Sequence, residues 1–232
     1  VEQERVKVFS IGGGSIAFEN DVVRNPERIY NLDSFSSIAK YCEEKNIRLW
    51  QYVIENEDKD FSSYMHNIWE AMKTAIQNGL SDSGILPGGL GVQKKAKSLF
   101  SSQHIDETPV TKENRIVCAY AFAVGEQNAS GEKIVTAPTC GAAGIVPAGL
   151  YYQQQKNNYS DEKIVYALMT AGLVGNLIKT NASISGAECG CQAEVGSACA
   201  MAAAALGELF ELSIDKIEYA AEIAIEHHLG LT

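Results

Sequence analysis

The spacing of apolar positions changes along the chain from a short period to a longer one. Residues 6–10 follow a period of two, three glycines at 12–14 interrupt it, and an apolar run at 16–18 begins a second extended segment. A period of two is the spacing of a β-strand, in which successive side chains point to opposite faces. We therefore predict a strand, a glycine turn and the edge of a second strand.

From residue 34 the apolar spacing becomes helical. Spacings of three and four residues place apolar side chains on one face of a helix, so two or three amphipathic helices are predicted. Ser34 is placed to cap the first of them, and Gly79 is expected to end the third. The apolar positions are Ile38, Tyr41, Cys42, Leu49, Tyr52, Val53, Ile68, Met72, Ala75 and Ile76.

The middle of the chain lacks a regular period. Glycine-rich residues 84–91 favour a loop, and residues 92–100 begin a basic helix. Residues 101–113 are polar and contain one proline, so we predict a flexible loop there. The next helix is then expected to begin near Arg115.

The second half of the chain is rich in alanine and glycine. Small side chains let helix axes approach closely, so this half is predicted to be a tight bundle around a central buried helix. The expected fold class is mainly α: a helical bundle with a small-residue-rich central helix, glycine-rich loops and a short β segment at the N-terminus. Helices are predicted over residues 115–127, 161–179, 192–212 and 215–228, with an apolar run at 142–155.

Composition narrows the class of protein. The 232 residues carry 19 basic and 29 acidic side chains, a net charge of −10, which opposes binding to the phosphate backbone of nucleic acid. No uncharged apolar stretch reaches the length of about 18 residues that indicates a membrane-spanning helix. We therefore expect a cytoplasmic protein with no nucleic-acid or membrane partner.

Six cysteines in a cytoplasmic chain are expected to remain thiols. Cys42 and Cys118 lie in apolar helical surroundings and are predicted to be small buried hydrophobic residues. Cys189 and Cys191 are separated by one residue, unlike the Cys-x-x-Cys pairs of a zinc ribbon. This spacing leaves open an iron–sulfur ligand or a reactive thiol. Cys199 is predicted to be a packing residue.

Three glycine-rich segments are candidates for binding. Residues 10–15 are predicted to be a simple turn, because they lack the spacing of dinucleotide and phosphate loops. Residues 136–147 place free amides ahead of an apolar run, which fits an anion or carboxylate site and a structural helix start equally well. Residues 181–197 crowd carboxylates, hydroxyls and thiols beside an alanine-rich helix. Burying such groups without partners is costly, so this segment is predicted to be functional.

The four histidines give weaker signals. His66 and His104 are predicted to be solvated or capping side chains. His227 and His228 lie in the last predicted helical turn, where the helix dipole stabilises a cation. A catalytic role for this pair is the alternative.

Together these segments resemble the iron–sulfur-dependent L-serine dehydratases. The resemblance implies a lyase of amino-acid degradation and gluconeogenesis that converts L-serine to pyruvate and ammonia. It also implies a 4Fe-4S cluster that acts on the serine hydroxyl as a Lewis acid. The motifs that carry it, in the family's order, are Ser10-Ile-Gly-Gly-Gly, Ile54-Glu-Asn-Glu57, Ile68-Trp-Glu70, Gly84-Ile-Leu-Pro-Gly-Gly-Leu90 and residues 136–147, 181–197 and 222–232.

The resemblance also implies roles for residues and partners. Cys191 aligns with a ligand of the cluster. Residues 1–24 resemble the tail of a regulatory beta domain or a linker strand, and residues 25–232 resemble the catalytic alpha domain. The implied partners are L-serine, a regulatory beta domain or subunit, and further copies of the chain in a homo-oligomer. The residues expected to meet the substrate are Thr139, Cys140, Gly141, Ser183, Ser185 and Gly186.

The sequence departs from the family's pattern in three places. Two further cluster ligands of the family would lie beyond Thr232, its beta-domain histidines would lie before Val1, and Cys140 replaces an asparagine. Cys189 and Cys199 do not reproduce the family's ligand spacing. We therefore expect these 232 residues to hold no stable cluster and to be inactive alone.

Two other functions compete with this expectation. The first is a cluster-free interaction or assembly module that docks to a partner subunit. The second is a pyridoxal phosphate enzyme, with the glycines at 12–14 holding the phosphate. The second is disfavoured, because no lysine of the chain has a convincing setting for a Schiff base.

Overall fold

The computed structural model describes residues 5–12, 15–21 and 29–228. Its N-terminal part is an antiparallel ribbon in which strand β1 (Val8–Gly12) pairs with strand β2 (Ser15–Phe18). The predicted strand and strand edge are thereby confirmed. Residues 13 and 14 of the turn, and the domain boundary expected at residues 24 and 25, lie outside the described residues.

Helices form most of the remaining described chain, which confirms the mainly α class. Within that part, none of the helices combines the length and the apolar character needed to cross a membrane. In chain order the helices are α1 (Phe35–Lys45), α2 (Leu49–Asn56), α3 (Phe61–Ser81), α4 (Ala96–Ser101), α5 (Pro109–Ala129), α6 (Ile145–Asn157), α7 (Asp161–Asn181), α8 (Gly186–Cys189), α9 (Cys191–Leu209) and α10 (Ile214–Glu226).

Hydroxyl side chains cap the N-termini of several of these helices. The predicted cap of α1 is confirmed, because Ser34 Oγ accepts a hydrogen bond of 3.3 Å from the amide three residues later. Thr108 caps α5 in the same way, at 3.2 Å. Pro109, with its fixed φ, is the first helical residue. The helix therefore begins at Pro109 and not near Arg115, and the loop before it is shorter than predicted.

Gly79 does not end α3, which continues to Ser81. A Cβ atom built on Gly79 would lie 2.4 Å from the carbonyl oxygen of Ala123 in α5, far inside van der Waals contact. The prediction of a helix end is wrong because this glycine permits a close approach between two helices instead.

Helices α7 and α9 form the centre of the bundle. Helix α7 packs on α2, α3 and α9, and α9 also packs on α6 and α10. Most buried residues of α9 have small side chains, which let its neighbours approach closely. The predicted small-residue-rich central helix is thus confirmed, and its buried alanines are Ala198, Ala200, Ala204 and Ala205.

A buried ion pair joins α9 to the start of α2. Glu208 is 5% exposed and accepts hydrogen bonds from Arg48 Nε and, at 3.1 Å, from Thr170 Oγ1. Arg48 Nη2 also donates to the carbonyl oxygen of Leu212 at 2.9 Å. A buried carboxylate needs such donors, because an unpaired charge in the core is strongly destabilising.

A second polar contact fixes the start of α7 against α3. Asp161 Oδ1 accepts hydrogen bonds from Trp69 Nε1 at 3.0 Å and from Gln154 Nε2 at 2.7 Å, while Oδ2 accepts one from Lys73 Nζ at 3.0 Å. Burial opposes ionisation of this carboxyl, but the three donors outweigh it and lower the pKa of Asp161 below its ordinary value. The charged form of Asp161 therefore stabilises the fold.

Candidate active site

The segment between α5 and α6 carries three of the residues expected to meet the substrate. Thr139 is 2% exposed, and its hydroxyl oxygen has no hydrogen-bond partner among the described residues. The Cys140 carbonyl accepts a hydrogen bond from Asn128 Nδ2 at 3.2 Å, which ties the segment to α5. Gly141 is exposed. Since an unpaired buried hydroxyl costs free energy, Thr139 is a candidate for contact with a ligand.

The segment between α7 and α9 carries the other three residues. The Ser185 amide donates to Ser183 Oγ at 3.1 Å, and the Ser183 hydroxyl donates to Glu188 Oε2 at 2.5 Å. Gly186 begins the short helix α8. Gly190 has a φ of +79°, a value that glycine adopts without strain, and it turns the chain from α8 into α9.

Both segments meet at the carboxylate of Glu194, in the first turn of α9. A Cβ atom built on Gly186 would lie 2.5 Å from Glu194 Oε2, and one built on Gly141 would lie 3.4 Å from the same oxygen. Cys191 lies three residues before Glu194, on the same side of the helix. The fold therefore brings Gly141, Gly186 and the predicted cluster ligand together around one carboxylate.

The Glu194 carboxylate lacks a compensating charge in the described structure. The side chain is half-buried, and it forms no hydrogen bond or ion pair with any residue of 5–12, 15–21 or 29–228. The positive end of the α9 dipole favours an anion in this turn. That preference accounts for the position of the carboxylate but supplies no hydrogen-bond donor to its oxygens.

The thiols differ widely in exposure. Cys42 is buried, as predicted, and burial raises its pKa to about 11. Cys118 is exposed, so the prediction that it is a buried hydrophobic residue is wrong. Helix α5 turns the adjacent Ala119 into the core and leaves Cys118 on its outer face. Cys189 and Cys191 are also exposed.

Cys199 of α9 contacts His228, which lies two residues after the end of α10. His228 Nδ1 donates to the carbonyl oxygen of Ala224 at 2.7 Å, and the Cys199 thiol is placed to donate to His228 Nε2 at 3.5 Å. Burial raises the pKa of Cys199, which keeps the thiol protonated as this donor. Cys199 thus packs between helices as predicted. A catalytic role for His227 or His228 stays a prediction.

A cleft of about 890 Å³ opens between α7, α9 and α10. Its polar lining includes Ser183, Cys189 and a row of acidic side chains on α10. Burial, together with the charges of two neighbouring acids, raises the pKa of Glu218. The cleft adjoins the segment between α7 and α9, because Ser183 and Cys189 of that segment line it, whereas Glu194 does not. The main apolar lining residues are Phe35, Val174, Leu177, Ile178, Ala221 and Ile225.

The described residues fit one ligand position of an iron–sulfur cluster and not a complete ligand set. Cys191 is exposed at the start of α9, and cysteine sulfur is the ligand type that such clusters use. Across the described ranges, no three His, Cys, Asp or Glu side chains converge as metal ligands do. Residues 229–232, which belong to one motif of the resemblance, lie outside the described part.

Comparison with known proteins identifies the family. Residues 38–232 match the family described as serine dehydratase alpha chain. The chain belongs to this family. It is 41% identical to L-serine dehydratase 1 of Escherichia coli K12, over 97% of this chain and 52% of that protein. It is 40% identical to an L-serine dehydratase of Haemophilus influenzae, over 100% of this chain and 54% of that protein. The chain thus spans about half the length of these relatives.

Family membership confirms the resemblance read from the motifs, and the matched region contains both segments of the candidate site. The structure brings Gly141 and Gly186 together, whereas the roles of Thr139, Cys140, Ser183 and Ser185 stay predictions. Sequence reasoning gave no separate role to Glu194, because only the folded chain shows that two distant glycines approach it.

Proposed function

We propose that the protein containing this chain is an L-serine dehydratase, which converts L-serine to pyruvate and ammonia. The observation that carries the proposal is the meeting of Gly141 and Gly186 at Glu194, beside Cys191, in a chain of the serine dehydratase alpha chain family. Relatives named L-serine dehydratase align over nearly all of this chain. Their name is the basis for the choice of substrate.

The reaction removes the α-proton and the β-hydroxyl of serine, and the resulting aminoacrylate hydrolyses to pyruvate and ammonia. Hydroxide is a poor leaving group, so the hydroxyl must be activated. We propose that Cys191 provides one thiolate ligand of a 4Fe-4S cluster. Such a cluster, when bound, supplies Lewis acidity towards the hydroxyl.

Residues of the first segment are proposed to bind the α-carboxylate of serine. Helix α6 begins at Ile145 without a side-chain cap. The Ile145 amide donates to the carbonyl oxygen of Ala142 at 3.2 Å and Pro147 has no N–H, which leaves the Val146 amide for an anion at this helix start. The buried Thr139 hydroxyl gives this segment a further donor. Cys140 and Gly141 continue the same wall. Ser183, Ser185 and Gly186 form the opposite wall, where the hydrogen bonds of Ser183 hold the backbone in place.

A pyruvate assay on the whole protein, purified without oxygen and loaded with iron and sulfide, tests the proposal. L-Serine is expected to yield pyruvate and ammonia in equal amounts. Thr139→Val keeps the shape of the side chain and removes the hydroxyl, so it is expected to raise the KM for L-serine about tenfold. Thr74→Val, at an exposed position of α3, is the matched control. A loaded wild-type protein that forms no pyruvate would refute the proposed activity.

The remaining family expectations are part of the same proposal. They are a regulatory beta domain or subunit, assembly into a homo-oligomer and a cytoplasmic location. Inactivity of residues 1–232 alone also stays a prediction, and pyruvate formation by this chain by itself would contradict it. The alternative of a docking module predicts a complex with a partner that never gains activity, and the same assay separates the two.

A further inference from the structure

We propose that Glu194 binds the α-ammonium group of the substrate and thereby selects amino acids over the corresponding deaminated acids. This inference rests on the proposed function and adds the group that recognises the amino substituent. It begins from a carboxylate that is half-buried and without a partner in the described chain.

The surroundings of Glu194 are shaped by glycine. A Cβ atom at Gly186 would lie 2.5 Å from Oε2 and 2.7 Å from Cδ of Glu194, so any side chain at residue 186 would displace the carboxylate. At Gly141 a Cβ atom would already be in contact with both carboxylate oxygens, at 3.4 and 3.5 Å. The two glycines therefore let the carboxylate lie against both segments that are proposed to enclose the substrate.

Electrostatics favours a cationic ligand at this point. A half-buried carboxylate is stabilised by a donor that carries positive charge, because charge-assisted hydrogen bonds are stronger than neutral ones. No lysine or arginine among the described residues bonds to Glu194. An ammonium group brings three N–H donors and the missing charge.

The position of Glu194 suits the amino group and not the other two groups of serine. A substrate carboxylate would be repelled by it, and the substrate hydroxyl is assigned to the cluster side of the site at Cys191. Glu194 follows Cys191 by three residues on one side of α9. A molecule as small as serine can therefore present its hydroxyl towards Cys191 and its ammonium towards Glu194.

The test compares L-serine with 3-hydroxypropionate, which keeps the hydroxyl and carboxylate and lacks the amino group. In the loaded wild-type protein, the inhibition constant of 3-hydroxypropionate is expected to exceed the KM for L-serine at least about tenfold. Glu194→Gln is expected to raise the KM for L-serine about tenfold and to change the inhibition constant less than about twofold. Glu194→Asp, which keeps the charge, should recover part of the discrimination.

Glu43→Gln, at an exposed position of α1, is the control and should leave both constants unchanged. Wild-type protein that forms no pyruvate would overturn the proposed function, and this inference with it. Active wild-type protein that binds both compounds equally would overturn ammonium recognition alone, and this measurement needs no variant to fold. Ammonium recognition is also refuted if Glu194→Gln raises both constants equally, lowers only kcat, or changes nothing.

Discussion

Replacing Gly79 by alanine tests the closest helix contact in the fold. The added Cβ atom would lie 2.4 Å from the carbonyl oxygen of Ala123, and 2.6 and 2.7 Å from its Cα and carbonyl carbon. All three are backbone atoms, so no side-chain rotation can relieve the overlap. Helices α3 and α5 would have to move apart, or the core between them would have to distort.

The magnitude follows from two opposing effects. Alanine is favoured over glycine in a helix by about 1 kcal/mol. Overpacking a rigid core costs about 1–3 kcal/mol, occasionally more. Because the contact at Gly79 is with backbone, we place its cost at the upper end, which gives a net loss of about 2 kcal/mol in the free energy of unfolding.

Gly125→Ala is the matched control for Gly79→Ala. Gly125 lies inside α5, and a Cβ atom there would meet nothing within 4 Å, so the same substitution should stabilise the protein by up to about 1 kcal/mol. Urea denaturation followed by circular dichroism measures both variants, with the midpoint as the readout. The reasoning is refuted if Gly79→Ala raises the midpoint as much as Gly125→Ala does.

Three further predictions concern charge and burial. Arg48→Met leaves the buried Glu208 without its cationic partner, so the free energy of unfolding should fall by about 3 kcal/mol in urea denaturation. The pKa of Asp161 is lowered in the folded state, so its contribution is present at neutral pH and lost as the pH falls through the lowered pKa. Asp161→Asn should therefore destabilise the protein at pH 7 by about 1 kcal/mol. The value is small because the carboxylate is 44% exposed. The variant should also show a weaker dependence of the free energy of unfolding on pH below about pH 4. A thiol reagent should label Cys118 quickly and leave Cys42 unmodified until the protein unfolds, because burial raises the pKa of Cys42 to about 11.

Each of these three predictions has an outcome that contradicts it. An Arg48→Met variant as stable as the wild type would show that Glu208 does not depend on its cation. An Asp161→Asn variant whose acid unfolding curve matches that of the wild type would show that the lowered pKa does not contribute to stability. Equal labelling rates for Cys42 and Cys118 would contradict their assigned burial.

Local sequence signals predicted much of the fold because helices are local structures. The apolar spacing after residue 34, the Ser34 cap and the alanine-rich stretch near residue 200 each act within a few residues, and the structure confirms them. The start of α5 was missed although its signal was present. Thr108 followed by Pro109 is a helix start, but the polar residues around it have the composition of a loop.

Tertiary contacts account for what the sequence did not predict. A glycine at residue 79 is typical of a helix end when the sequence is considered alone. The reason for this glycine is the close approach of α5, which the sequence does not show. Cys118 lies among apolar residues, but a helix with buried and exposed sides can turn a single cysteine outwards. The role of Glu194 could not be predicted, because no local pattern relates Gly141 to Gly186.

The connection between α7 and α9 has a consequence for ligand affinity. Asn181 ends one helix and Cys191 begins the next, and both helices are anchored in the core of the bundle. The configurational entropy of closing this short segment is therefore lost during folding, before any ligand arrives. A ligand does not have to order the segment, so a molecule with few contacts retains more of its interaction energy as affinity. A short connection between two fixed helices thus increases the affinity for a molecule as small as an amino acid.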